Sequence, residues 1–194
     1  VATGLADAVF LAKEFVNEDD FVVALGDTIM DSHTTPNHLS RLIDYHQEVD
    51  ALCTLSAERI PMEHCSRYGI LDVKKYSNPS NKSTDKFIVN DLVEKPSIKD
   101  APSDLAISGR YVFKPAIFDY IEKTPYGKGG EKQLTDAIKL SKKGGKIAAL
   151  QLADNERRYD TGSFALYAKA FVDFCLKDEE IGPELREHLK NLKL

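Results

Sequence analysis

Cysteine is scarce in this chain, and the three present, Cys53, Cys65 and Cys175, are odd in number and far apart, with no CxxC pair. That excludes a disulfide framework of the small secreted kind. The five histidines do not cluster with cysteines either, which argues against a zinc site. Cys53 and Cys175 lie in apolar runs, so reduced thiols in a cytoplasmic protein are expected. No apolar run is long enough to span a bilayer, and no signal-peptide pattern is present. An excess of positive charge is missing as well. Twenty-six Lys and Arg against 31 Asp and Glu give a net charge of −5, which argues against a nucleic-acid or membrane-surface partner. No spacing suggests a Ser-His-Asp or Cys-His arrangement, so nucleophilic catalysis has no support.

What is present suits an α/β protein. At 194 residues the chain is long enough for one domain with a sizeable core, or one domain with a small appendage. Apolar residues recur with helical period from Leu5 to Val16, and Phe21–Leu25 follows as a continuous apolar run, the pattern of a strand covered on both faces. Pro36-Asn37 opens a second helix with Leu39, Leu42, Ile43 and His46 inward, and Ala51–Ala57 reads as the next buried strand. This β-α-β order predicts a parallel sheet flanked by helices. Gly69–Val73, Phe87–Val93 and Leu105–Phe113 then read as strands with few helices between them, and the polar tract Ser77–Asp85 as an exposed loop. Helices over Pro115–Lys123 and Gln133–Ser141, a strand over Lys146–Leu152, and helices over Ser163–Leu176 and Pro183–Leu192 complete the pattern. No internal repeat and no domain-splitting linker is visible.

Four short polar segments interrupt these runs: Gly4-Leu5-Ala6, Gly26-Asp27, Glu94-Lys95-Pro96 and Tyr159-Asp160-Thr161-Gly162-Ser163. Each begins or ends an apolar run, which in an α/β protein places it at the rim of a sheet, where ligands bind. Asp27 follows a buried strand and could hold Mg²⁺ beside phosphate oxygens; the alternative is a turn aspartate bonding its own loop. Asp160 precedes a long apolar helix for which Ser163 is a natural N-cap, so it could be a second Mg²⁺ ligand or simply part of the cap. Lys95 could pair with a phosphate and Glu94 could accept hydrogen bonds from sugar hydroxyls, with Pro96 fixing the exit; a surface ion pair at a strand end is the competing reading. Tyr68-Gly69 offers backbone groups at the start of a strand. Asp31 reads as ordinary loop. The glycine-containing stretches Gly127–Gly130 and Lys142–Lys146 follow a helix and precede the next element, the wrong order for a phosphate-binding loop.

Taken together, Val93–Pro96, Ala101–Tyr111, Gln133–Ile138 and Tyr159–Ser163 make the chain similar to the sugar-nucleotidyltransferase family, and within it to the branch of UTP–glucose-1-phosphate uridylyltransferases. The resemblance runs from Gly4 to the carboxyl end and implies a Rossmann-like mixed, mainly parallel sheet flanked by helices. It implies transfer of a uridylyl group from UTP to glucose 1-phosphate with release of pyrophosphate, dependent on Mg²⁺ held by Asp27 and Asp160. It further implies that Glu94 binds glucose hydroxyls, Lys95 the sugar phosphate and Gly69 a sugar hydroxyl through its backbone, that Gly4 lies against the uracil, and that Gly109 belongs to the sugar pocket. On this reading residues 1–194 are one nucleotidyltransferase domain with a β-rich sugar-binding portion at about 69–113 and carboxyl-terminal helices at about 163–194. The partners are small molecules, and a homo-oligomer is compatible with the family.

The family's amino-terminal Gly-rich, Arg-containing loop, which cradles the triphosphate, is absent from these 194 residues. The expectation is therefore a piece of a longer enzyme that does not turn over by itself. A thymidylyl- or other nucleotidyltransferase of the same family, and a non-catalytic module that binds sugar nucleotides, both stay open at this point. A metal-dependent glycosyltransferase fits poorly, because Asp27 and Asp31 do not form a compact Asp-x-Asp pair.

Overall fold

The computed structural model describes residues 3–78 and 84–192, so the middle of the loop expected over Ser77–Asp85 lies outside the described residues. In chain order the elements are α1 (Leu5–Phe10), α2 (Lys13–Val16), β1 (Phe21–Ala24), β2 (Thr28–Ser32), α3 (His38–Val49), β3 (Ala51–Arg59), β4 (Gly69–Lys75), β5 (Lys86–Glu94), β6 (Leu105–Phe113), α4 (Ile117–Lys123), α5 (Leu134–Ser141), β7 (Lys146–Gln151), β8 (Glu156–Asp160), α6 (Phe164–Lys177) and α7 (Gly182–Asn191), with short 3₁₀ turns at Met62–Arg67 and Lys128–Gly130. The chain divides into two compact units. The first comprises Val1–Leu25 and Ser32–Glu156, the second Gly26–Asp31 and Arg157–Leu194.

The first unit is built on a six-stranded sheet in the order β1-β6-β3-β7-β5-β4, and β4 pairs again with β6 where Ile70 faces Ala106. Side chains alternate across a strand, so adjacent residues of β6 feed opposite cores. Val112 packs with Leu42, Tyr45 and Val49 of α3. Tyr111 and Phe113 instead join Ala6 and Val9 of α1, Ile117, Phe118 and Ile121 of α4, and Leu134, Ala137 and Ile138 of α5. Burying each of the Val, Leu, Ile and Phe side chains among them contributes about 1.5–3 kcal/mol. The sheet is thus flanked by helices on both faces. Asn37 caps α3, its side chain accepting from the Ser40 N–H at 2.9 Å, and Tyr45 donates its buried hydroxyl to the Phe87 carbonyl at 2.9 Å.

The second unit contains α6, α7 and most of a two-stranded ribbon of β2 and β8. Ser163 is the N-cap of α6, as its position before the apolar run predicted, with its hydroxyl 3.4 Å from the Leu166 N–H. Tyr159 is buried against Phe174 with ring centroids 5.0 Å apart, while Phe164, Tyr167 and Phe171 on α6 are exposed. Among the described residues no helix is long and apolar enough to cross a membrane, and all three cysteines are free.

The α/β architecture and the mixed sheet flanked by helices are as expected; only the mainly parallel part of the expectation is corrected, because antiparallel pairings outnumber the parallel one. Of the pairings resolved in the six-stranded sheet only β3–β7 is parallel; β1–β6, β3–β6, β4–β5, β4–β6 and β5–β7 are antiparallel. β1 and β3 do run the same way, as a β-α-β unit requires, yet β6 is inserted between them in the opposite sense. Continuous apolar runs report burial of both faces, not the direction of the neighbour. Further differences are local. The helical period from Leu5 to Val16 breaks at Leu11-Ala12, Phe15 is exposed, and β1 alternates between half-buried and exposed instead of being covered on both faces. In α3 the inward residues are His38, Leu42, Tyr45, His46 and Val49, and Leu39 faces out.

Candidate active site

Two of the predicted site residues meet in the second unit. Asp27 lies in the turn before β2 and Asp160 ends β8. Thr161, the next residue, donates from its N–H and from its hydroxyl to the Asp27 carbonyl at 2.7 and 2.9 Å, which fastens the two turns side by side. Asp160 Oδ1 accepts the Gly162 N–H at 2.9 Å, and its Oδ2 stands 3.6 Å from the Arg158 guanidinium. A Cβ placed on Gly162 would lie 3.2 Å from Asp160 Oδ1 and 3.5 Å from Asp27 Oδ2. Both carboxylates therefore approach one point that only a residue without a side chain leaves open. Two carboxylates offer hard oxygen donors, and Mg²⁺ is usually held by one or two of these together with substrate phosphates and water, so the donor set fits that ion. Among the described residues no cluster of three or more His, Cys, Asp or Glu could hold a metal.

A second group assembles in the first unit. Gly69, at the start of β4, is directly opposite Glu94, at the end of β5. Glu94 Oε2 accepts from the Thr135 hydroxyl at 2.7 Å, and Oε1 stands 3.4 Å from Lys95 Nζ. Lys95 continues the ladder by donating its N–H to the Tyr68 carbonyl at 3.0 Å, and then turns with φ +46° into Pro96. A left-handed conformation at a non-glycine residue carries strain of about 1–2 kcal/mol, of the kind that persists where surrounding structure enforces it. Its ammonium is largely exposed, so it is available to an anion. Asp136, next to Thr135, has its carboxyl held above the ordinary range, first by desolvation and then by the Glu94 charge.

Two further predicted residues, Gly4 and Gly109, belong to the first unit. Gly4, with φ +111°, precedes α1 and seats against the Lys132 backbone; it lines an open cleft with Asp7, Phe10, Tyr126 and Glu131. Gly109, with φ +79°, is buried in β6, where its carbonyl accepts the Leu25 N–H at 3.1 Å and the Arg110 guanidinium at 2.9 Å. It thus holds the exit of β1. Asp31 sits on β2 and pairs with Lys177, not in a loop as its neighbours suggested. Sequence reasoning also passed over Thr135 and Asp136. The stretch Gln133–Ile138 stood out as a motif, yet nothing in its spacing shows that the first turn of α5 would cross to the end of β5.

A model of the nucleotidyl transferase family matches residues 1–176, and the chain belongs to that family. Among its relatives, a protein of Staphylococcus epidermidis named UTP–glucose-1-phosphate uridylyltransferase is 36% identical over 98% of this chain, and one of Streptococcus pyogenes with that name is 40% identical over 97%. A UTP-bound UGPase from Acinetobacter baumannii superposes with a TM-score of 0.85 at 33% identity, covering 98% of this chain and 63% of the other. A UDP-glucose pyrophosphorylase complexed with UDP-glucose gives 0.82 at 30% identity over 92% of this chain and 64% of the other. The chain spans about three fifths of the curated relatives, 62% and 61% of their respective lengths.

Proposed function

We propose that the chain is part of an enzyme that transfers a uridylyl group from UTP to glucose 1-phosphate, giving UDP-glucose and pyrophosphate. The observation that carries this reading is the approach of the Asp27 and Asp160 carboxylates to one point at Gly162. Family membership and the names of the relatives supply the substrate pair. A phosphate oxygen of glucose 1-phosphate attacks the α-phosphorus of UTP, and pyrophosphate leaves. The attacking oxygen is already anionic, so no residue has to remove a proton. What must be overcome is the repulsion between two polyanions.

In this scheme Glu94 accepts hydrogen bonds from the sugar hydroxyls, Lys95 pairs with the sugar phosphate, and Gly69 brings its backbone close to the sugar. Gly4 faces the base, and Gly109 shapes the sugar pocket by holding the end of β1. Asp27 and Asp160 would hold Mg²⁺, which when bound supplies neutralisation of phosphate charge. The 194 residues lack a Gly-rich, Arg-containing loop to cradle a triphosphate, so the proposal includes that this chain alone binds sugar nucleotide without turning over. The surroundings are cytoplasmic and the partners small molecules.

Calorimetric titration of UDP-glucose into the chain, with and without Mg²⁺, tests the reading. Binding that requires the metal and is lost in Asp27→Asn and in Asp160→Asn is the expected result. Binding indifferent to both, or sustained pyrophosphate release from UTP and glucose 1-phosphate by this chain alone, contradicts the corresponding part.

A further inference from the structure

We propose that Thr135 is a positioning residue for the sugar-phosphate site, its hydroxyl holding the Glu94 carboxylate as a fixed acceptor for sugar hydroxyls. The inference rests on reading Glu94 and Lys95 as that site. A carboxylate presents about four lone-pair positions on two oxygens. Thr135 occupies one on Oε2 and Lys95 approaches Oε1, which leaves the remainder for a polyol. Without a partner, a glutamate at a strand end rotates about its side-chain bonds and presents those acceptors in many directions.

Three further observations make this contact more than incidental. Thr135 is the second residue of α5, and its β-branched side chain is stiff about χ1. Deeper in a helix a threonine commonly returns its hydroxyl to the carbonyl four residues back. Here residue 131 precedes the helix, and the hydroxyl crosses to β5 instead. Gly69 faces the same bond: a Cβ there would stand 3.3 Å from Glu94 Oε2, 3.5 Å from Thr135 Oγ1 and only 2.9 Å from Ile107 Cδ1. Gly69, Glu94 and Thr135 therefore form one constructed corner, reached from two strands and a helix. Finally, Asp136 feels the Glu94 charge, so a second acid borders the corner while Thr135 is the neutral donor within it.

The test uses the 194-residue chain and glucose 1-phosphate as the probe, followed by NMR titration, with the ¹³Cδ signal of Glu94 read in the same samples. Thr135→Val, close in shape but without the donor, is expected to weaken binding about tenfold, as loss of one hydrogen bond to a charged acceptor would. It should also move the Glu94 signal. Thr135→Ser, which keeps the hydroxyl, should return both to near wild-type values, a rescue that a purely packing role would not give. If Thr135→Val fails to fold, Thr135→Ala makes the same comparison, since alanine is well tolerated in a helix. Wild-type binding that persists unchanged in the Val or Ala variant overturns the role of Thr135 alone. Absence of binding in the wild type, with Glu94→Gln behaving identically, overturns the sugar-phosphate reading and this inference with it.

Discussion

The main-chain carbonyl of Asp27 accepts two hydrogen bonds from Thr161, one from its N–H at 2.7 Å and one from its hydroxyl at 2.9 Å. This bifurcated clasp joins residues remote in sequence through the Asp27 main chain, while the Asp27 carboxylate accepts from the Thr28 hydroxyl at 3.4 Å on Oδ1 and presents Oδ2 at Gly162. It also assigns Thr161 a task that neither a turn nor a helix cap would need. Thr161→Val keeps the N–H bond and deletes the other. Chemical denaturation should show a loss of about 1 kcal/mol, the usual net worth of one such bond. Mg²⁺-dependent affinity for UDP-glucose should fall several-fold in calorimetry, as the two carboxylates lose their common anchor. An affinity unchanged alongside reduced stability would separate the clasp from the cation site.

Gly162 permits a sharper test of the same site. An alanine Cβ would occupy the point that both carboxylates face, 3.2 Å from Asp160 Oδ1 and 3.5 Å from Asp27 Oδ2. Neither distance forces the backbone apart, and Gly162 is exposed, so the fold should survive. Gly162→Ala is expected to melt within a few degrees of wild type, as surface substitutions usually do. The dependence of UDP-glucose binding on Mg²⁺ should nevertheless weaken markedly. Equal Mg²⁺ dependence in the two proteins would show that the ion, if bound, does not use this point.

Much of this arrangement was legible in the sequence, and the omissions have physical reasons. β6 was bounded correctly at Leu105–Phe113 because the apolar triplets Leu105–Ile107 and Tyr111–Phe113 bracket it, and α5 and α6 were found to within a residue or two by their period. β2 and β8 escaped detection. Glu156-Arg157-Arg158-Tyr159-Asp160 carries three charges besides its terminal acid and no apolar alternation, and a two-stranded ribbon buries only positions such as Glu156 and Tyr159. Asp27 was recognisable where an apolar run ended, and Asp160 where one was about to begin. The contact between Thr135 and Glu94 was not, because it depends on how α5 packs across the end of β5 rather than on any spacing along the chain.

Gly4 provides a test of backbone conformation independent of any ligand. Its φ of +111° lies in a region that side chains rarely adopt, and a Cβ would sit 2.4 Å from the Lys132 carbonyl oxygen. That carbonyl is also the acceptor for the Ala6 N–H, so it cannot move away without loosening α1. Strain and clash together should make Gly4→Ala lose about 2–4 kcal/mol. The urea midpoint measures it. A midpoint within experimental scatter of wild type would mean that the first helix contributes little to the global transition.

Glu156 should govern the acid limb of stability. Its side chain is fully buried, and burial alone would push its carboxyl up. Hydrogen bonds from the Ser32 hydroxyl, the Ala153 N–H, the Arg41 guanidinium and the Thr34 hydroxyl outweigh that and hold it at about 2, against 4.5 for the ordinary group. The folded value lies below the unfolded one, so the stabilisation is complete above about pH 4.5 and is lost as pH falls toward 2. A depression of this size corresponds to about 3 kcal/mol. His38, whose Nδ1 stands 3.3 Å from Glu156, acts earlier in an acid titration. Burial lowers its ring below 6.5, so acidification through that value already favours the unfolded chain, which takes up the proton first. Glu156→Gln leaves Arg41 facing an amide and should cost roughly 3 kcal/mol at pH 7. The variant's denaturation midpoint should then fall less than that of wild type between pH 4.5 and 2, where the missing carboxylate can no longer titrate. Parallel decline of the two proteins across that window would move the acid sensitivity to other carboxylates, Glu48 and Asp91 first, because both are also held below their ordinary values.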